Sequence, residues 1–302
     1  MSTDGPILKI NLESDLRQIV FDQFRRGKFP FEGELETEDL LRRYFNTAHR
    51  DLSIKPRNVR ISRELVARVL SPHLKAGVDR IVACAAAGRN LNPYYSTSLM
   101  DPEYNDLLFN DWGIHHFHLG SKPPPGVGGF AVRTDELLFL RVTETDVYCI
   151  DIGDHDLIES FANQQLIQIV HDNWPETIEP MRLIMPVGAR NNITNEQYAN
   201  LRDKGGTTSV SVSDGTHYLP IGGGYMCSGV SIAAVRNADK VLLKVRDLEA
   251  RIRSDEENLR RQIAAAIGGR CPRTIHMKLK SWTEQAAIIY EKKTKTDLSI
   301  NW

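Results

Sequence analysis

Asn110-Asp111-Trp112-Gly113-Ile114-His115-His116-Phe117-His118-Leu119-Gly120 places three of the chain's nine histidines within four positions. Histidine titrates near neutral pH and is the commonest metal ligand, so chemistry is expected first in this cluster. Read as an extended strand, the run puts His116 and His118 on one face and His115 with Phe117 on the other. One face then offers two imidazoles to a substrate or a metal. Downstream, Asp151-Ile152-Gly153-Asp154-His155-Asp156 supplies a further histidine among acids at the end of a predicted strand.

Immediately after the cluster, residues 121–129 hold Lys122, three prolines and three glycines, which excludes regular structure and marks a long, functional type of loop. Residues 136–142 and 147–152 read as two strands joined by Thr143-Glu144-Thr145-Asp146, a hairpin that carries Arg141, with Arg133 just ahead of it. Residues 158–174 form an amphipathic helix with Phe161, Leu166, Ile169 and Val170 inward, and His171 near its end faces the helix dipole. Residues 181–187 read as a strand, and residues 194–204 as a helix closed by Gly205-Gly206. A second hairpin turns at Asp214-Gly215. Gly222-Gly223-Gly224 matches no phosphate-loop pattern and is read as a tight turn or a close backbone approach.

Upstream, residues 7–27 read as a short strand or coil and then a helix, and a second helix follows Thr37. Residues 51–61, with Lys55, Arg57 and Arg60 around Pro56, read as a solvated connector. Ser62 caps a helix, and residues 78–87 form a buried one. Asn92-Pro93-Tyr94-Tyr95 is a turn. Residues 236–267 repeat Val241, Val245, Leu248, Ile252, Leu259, Ile263 and Ile267 at three-to-four spacing. That pattern predicts one long helix for packing, for homodimer formation or for a protein partner. Residues 274–280 and 286–291 are strand-like, and the rest of the tail is basic and polar.

The chain has 302 residues, 41% hydrophobic and 25% charged, an ordinary globular composition and enough length for more than one domain. No apolar run approaches the roughly 18 residues that a membrane span needs. The first residues lack a basic stretch followed by an apolar one, so a cytoplasmic rather than secreted protein is expected. The cysteines Cys84, Cys149, Cys227 and Cys271 form no CxxC pair, which argues against a zinc ribbon or a disulfide framework. The formal net charge is -1, so any nucleic-acid site must be a local basic patch.

Three readings of the cluster compete. Metal-free cleavage of RNA needs a base for the 2′-OH proton, an acid for the leaving oxygen and a cation on the phosphate. His116, His118 and His155 supply the first two, Arg133, Arg141 or Lys122 the third, with Trp112 and His115 beside them for substrate. A divalent metal is the alternative, held by His116, His118 and His155 with Asp111 or another acid of the 151–156 segment. The third reading is structural, with Trp112, Ile114 and Phe117 in a core and the histidines bonded to backbone.

The strand, basic turn and hairpin ending in Ile-Asp-Ile-Gly-Asp-His-Asp resemble the C-terminal half of RelE-type ribonuclease toxins, over residues 111–157. The resemblance implies a curved sheet, RNA as substrate, a toxin or phage-defence setting, and site roles for Arg133 or Arg141 and His155. The segment His116-Phe117-His118-Leu119-Gly120-Ser121 is also similar to the HFHxGS segment of alpha-type carbonic anhydrases, which implies zinc on alternate histidines of a strand. The expectation is an α+β protein: a mainly helical region over 1–100, a central α+β domain over 101–190 holding the site, and a hairpin, long helix and strands over 191–302. Its expected activity is that of a ribonuclease with no cofactor favoured and a divalent metal as the alternative. The rival is a non-enzymatic interaction protein that uses the long helix around Leu248 and the Tyr94-Tyr95 loop, and the expected partners are RNA or another nucleic acid, with no membrane.

Overall fold

Chain order and spatial grouping part company early in the sequence. In the computed structural model, which describes residues 6–27, 29, 35–120, 129–155, 161–184 and 193–302, two units emerge. One joins Met1–Phe45 to Ala234–Trp302, and the other is Asn46–Ala233. The class is α+β. The divisions expected near residues 100 and 190 are replaced by these, because the first strand finds its partner almost the whole chain away. Such long-range pairing leaves no local mark in a sequence.

The first unit opens with β1 (Ile7–Lys9), α1 (Leu12–Arg26) and α2 (Thr37–Ala48). Asn11 caps α1 by accepting the Ser14 N–H, and Leu12, Leu16, Val20 and Phe24 form its buried stripe.

In the second unit the sheet that carries the histidines is built from β2 (Asn58–Ile61), β3 (His115–His118), β4 (Glu136–Val142) and β5 (Asp146–Asp154), in the order β2-β5-β4-β3. Between β2 and β3 lie α3 (Arg63–Ala67), α4 (Pro72–Ala86) and α5 (Leu107–Trp112). Strand β2 pairs parallel with β5, and the others are antiparallel. The expected solvated connector is therefore partly an edge strand. Its basic residues are occupied locally: Arg60 bonds Asp146 at 3.0 Å, Lys55 bonds Glu144, and Arg57 donates to the Thr143 carbonyl at 3.0 Å, all around the β4–β5 turn.

One face of this sheet packs Phe117, Leu138, Leu140 and Cys149 against Val78, Ile81 and Ala85 of α4. The other packs Ile114, Phe139, Tyr148 and Ile150 against α6 (Gln165–Asn173) and its neighbours. Each fully buried aliphatic or aromatic side chain here contributes about 1.5–3 kcal/mol by leaving water. The unit continues with β6 (Arg182–Leu183), α7 (Asn195–Asp203), β7 (Val210–Ser211) and β8 (His217–Tyr218), and β8 lies between β6 and β7 in a small antiparallel sheet. Thr194 and Gln197 form a reciprocal capping box on α7.

The chain returns to the first unit with α8 (Ile232–Ser254), α9 (Glu256–Ile267), β9 (Thr274–Trp282), β10 (Ala286–Glu291) and β11 (Thr296–Asn301). The expected single helix breaks at Asp255, whose carboxylate accepts the Asn258 N–H and starts α9 afresh. Its apolar stripe is spent within the unit: Leu242, Val245, Leu248, Ile252, Leu259 and Ile263 join Leu16, Val20, Ile275 and Ile289 in one core. That removes the stripe as a homodimer or partner surface. The polar tail forms β11, paired antiparallel to β10, and β1 pairs parallel to β9. The Asp15 carboxylate ties α1 to β9 by accepting the Leu279 N–H at 3.0 Å and pairing with Lys278 at 2.6 Å.

The glycine triplet packs by close backbone approach. Gly222 N–H donates to the Asp111 carbonyl at 2.7 Å and Gly224 N–H to that of Asn110 at 2.9 Å. A Cβ on Gly222 would stand 2.2 Å from the Phe109 carbonyl oxygen. Gly222→Ala is therefore expected to lower stability by about 1–3 kcal/mol through the backbone shift it forces. Chemical unfolding followed by tryptophan fluorescence checks this, and an unchanged midpoint would contradict the packing.

Candidate active site

The site begins where α5 ends. Asp106 caps α5 by accepting the Phe109 N–H at 3.0 Å, and Gly113 reverses the chain at φ 65°, a conformation glycine adopts without strain. The chain then enters β3 with its phase set. His116 lies opposite Phe139 and His118 opposite Leu137, so both point to the face that α6 covers. His115 points the other way.

Three expected site residues turn out to be structural. Trp112 is buried, with its indole N–H 3.2 Å from the Tyr198 hydroxyl and the Arg202 guanidinium 4.1 Å over its ring. The Asp111 carboxylate is consumed by Arg202 Nε at 2.9 Å, the Tyr198 hydroxyl at 3.0 Å and the Thr207 hydroxyl at 2.9 Å, so it offers no lone pair to a metal. His115 hydrogen-bonds the Tyr95 hydroxyl and stacks 4.5 Å from the Phe109 ring. Burial pushes His115 down to about 3, and its ring lies on the opposite face of β3 from His116 and His118, apart from their cluster. Arg141 is likewise engaged elsewhere: it bonds the Thr177 hydroxyl at 3.3 Å, and burial lowers it to about 10. Lys122 and Asp156 lie outside the described residues.

The remaining residues converge. The His118 and His155 rings stack at 5.9 Å and 26°. The Arg133 guanidinium meets His155 Nε2 at 3.0 Å. Phe161 stands edge-on to His116 at 5.2 Å and to His155 at 5.9 Å, and forms a wall between them. Exposure rises along the series: His118 is 1% exposed and His116 5%, His155 is half-buried, and Arg133 reaches solvent.

Each imidazole is oriented differently. His118 Nδ1 sits 3.2 Å from both the N–H and the carbonyl of Thr134, and its Nε2 has no hydrogen-bond partner among the described residues. Burial pushes His118 down to about 4 from an ordinary 6.5, so it is neutral at physiological pH. His116 Nδ1 is 3.6 Å from Asp106 Oδ2, beyond a good hydrogen bond. Arg50, Tyr95, Tyr104, Asp106 and His116 line a cavity of about 10 Å³ between them. That is close to the space one water needs, and His116 Nδ1 and Arg50 Nη1 are the two polar atoms there without a partner. A cleft of about 200 Å³, with Asp106, Phe161, Ala199 and Arg202 in its lining, lies beside the Phe161 wall.

Among the described residues no group of three or more His, Cys, Asp or Glu is arranged to hold a metal ion. All four cysteines are free, and burial raises the Cys149 thiol to about 12, as expected of a core residue. His171 bonds the Tyr218 hydroxyl at 2.8 Å and faces Asp214 at 3.3 Å, a packing role that side chains as well as the helix end define. No described helix is long and apolar enough to cross a membrane. No protein family, curated protein or solved structure matches the chain.

Sequence reasoning missed Asp106, Thr134, Phe161, Arg50 and Arg202 as members or supports of the site. Asp106 carried a readable signal, an acid immediately before the apolar Leu107-Leu108-Phe109 of α5. Arg50 and Arg202 carried none, since Arg50 meets Asp101 across 51 residues and Arg202 meets Asp111 across 91.

Because His115 and His118 are held neutral, the unfolded chain binds more protons than the folded one between pH 6.5 and about 4. Stability is present above 6.5 and falls as the pH drops through that window. Thermal melts should show this decline, and it should be shallower in His115→Phe; a parallel decline in both proteins would contradict the assignment. Asp111→Ala leaves the Arg202 charge buried and unpaired. It is expected to cost about 3–5 kcal/mol in chemical unfolding.

Proposed function

We propose that the chain is a ribonuclease that uses histidine acid–base chemistry, with His118, His155 and Arg133 as the reacting group and His116 as their support. The observation that carries this reading is the stack of two imidazoles ending at a solvent-facing guanidinium. A neutral imidazole kept out of water can accept a proton, and a guanidinium fits two phosphate oxygens at once.

In this proposal a phosphate takes the Arg133 guanidinium away from His155 Nε2. The same displacement draws His155 off the His118 ring, and His118, buried until then, accepts the 2′-OH proton through Nε2. The freed 2′ oxygen attacks phosphorus, and the 5′ oxygen leaves. His155, its Nε2 released from Arg133, delivers a proton drawn from solvent to the leaving oxygen. The product carries a 2′,3′-cyclic phosphate and a free 5′-OH. No step requires a metal.

The choice of RNA, and a toxin or phage-defence role, rest on the resemblance of residues 111–157 to RelE-type ribonuclease toxins. The chemistry of the site supports a phosphodiester substrate independently, because base, acid and cation stand within one cluster.

The test is incubation of the purified protein with labelled RNA and DNA, with and without a chelator. RNA should be cut, DNA with its missing 2′-OH should survive, and the chelator should have no effect. His118→Ala and His155→Ala should each lose about 10²–10⁴-fold in rate. The rate should rise with pH around 4, as His118 loses its proton. Undiminished cleavage by both variants would overturn the assignment, and loss with chelator would replace it with a metal-dependent one.

A further inference from the structure

The first unit has a cleft of about 300 Å³ that no step above uses. Asn237, Lys240 and Lys244 follow one another along the flank of α8, and Val241 beside them packs against the core edge together with Phe45, Trp282 and Trp302. Facing them are Trp282 at the end of β9, the turn Thr283-Glu284, Phe45, and Trp302. Two tryptophans and a phenylalanine thus share one cleft with two lysines.

The partners inside the cleft hold these groups in place. Trp302 donates its indole N–H to the Thr283 carbonyl at 3.2 Å, which fixes the ring plane. Lys244 Nζ donates to the Glu284 carbonyl at 2.8 Å and stands 5.3 Å over the Trp302 ring. Lys240 pairs with the Glu284 carboxylate at 3.1 Å, and both side chains are more than half exposed. Such an exposed pair contributes little and opens readily for a better anion. Its side chains bring two ammonium groups and one carboxylate, an excess of one positive side chain.

This chemistry selects its ligand. A cage for a methylated ammonium needs surroundings free of other cations, and this lining already holds the ammonium groups of Lys240 and Lys244, which a bound anion would draw from Glu284 and the Trp302 ring. An aromatic ligand carrying negative charge satisfies both halves of the cleft. Single-stranded nucleic acid is that ligand: any base can stack on a tryptophan, and lysines track the phosphates. A duplex hides its bases and gains nothing from the rings.

We propose that this cleft binds single-stranded nucleic acid, stacking a base on Trp282 and Trp302 while Lys240 and Lys244 contact the phosphates. The proposal stands apart from the ribonuclease reading, since its residues lie in the first unit and it requires no cleavage. A DNA probe, which lacks the 2′-OH that cleavage needs, separates the two.

The experiment is fluorescence anisotropy of the full chain with a labelled oligothymidylate of about ten nucleotides at low salt. Binding is expected, with quenching of tryptophan emission. Trp302→Ala and Trp282→Ala should each weaken it by about tenfold, in the range one stacked base contributes. Trp302→Phe should keep most of the affinity, because it retains a stacking face, which separates lost stacking from a disturbed fold. Lys244→Ala should weaken binding and flatten its salt dependence. Absence of binding by the wild type, equal affinity in both alanine variants, or equal affinity for a duplex would each overturn the proposal.

Discussion

The buried pair of Asp111 and Arg202 is the constraint on which the candidate site depends. Taking both charges out of water is costly, and the cost is offset only by dense pairing. Here the carboxylate accepts from Arg202, Tyr198 and Thr207, and the guanidinium lies over Trp112. These bonds hold the last turn of α5, and the glycine triplet clasps the Asn110 and Asp111 carbonyls from outside. The chain therefore leaves Gly113 in one direction only. A strand's side chains alternate, so a slip of one residue would bury His116 and His118 under α4 and bring His115 and Phe117 to the site.

Electrostatics then sorts residues of one type into different roles. His115 and His118 are separated by two residues of one strand, yet burial lowers them to about 3 and about 4 in quite different company. His115 is enclosed by Tyr95 and Phe109, where its neutrality serves packing. His118 has a backbone partner on Nδ1 and a second histidine over its ring, where its Nε2 is left without a partner among the described residues. Exposure rises from His118 to Arg133, so a buried imidazole and a solvent-facing guanidinium mark the two ends of one cluster.

How much of this was legible in the sequence follows from how local each signal is. The alternation of His115 to His118, the β4–β5 hairpin, the Ser62 cap and the close approach at Gly222 are written within a few residues of each other, and each could be read. The edge strand β2 could not, because its identity comes from β5, some 88 residues later, while its own residues read as a basic connector. The division into units was hidden for the same reason: β1 is completed by β9. Asp111 was misread because its type suits a ligand, and only Arg202, 91 residues away, makes it structural.

That same Arg202 links the floor of the site to its wall. Its Nε holds Asp111 beneath β3, and its Nη1 donates to the carbonyl of Phe161. The Phe161 ring in turn sets the space beside His116 and His155. One guanidinium thus fixes the strand that presents His116 and His118 together with the ring that packs beside His116 and His155. An arginine suits this task because its donors point in fixed, divergent directions from a rigid plane. A lysine has one flexible ammonium and could satisfy Asp111 or the Phe161 carbonyl, but it could not fix the angle between them. The histidine cluster is therefore held by geometry imposed from α7, an element that contributes no histidine of its own.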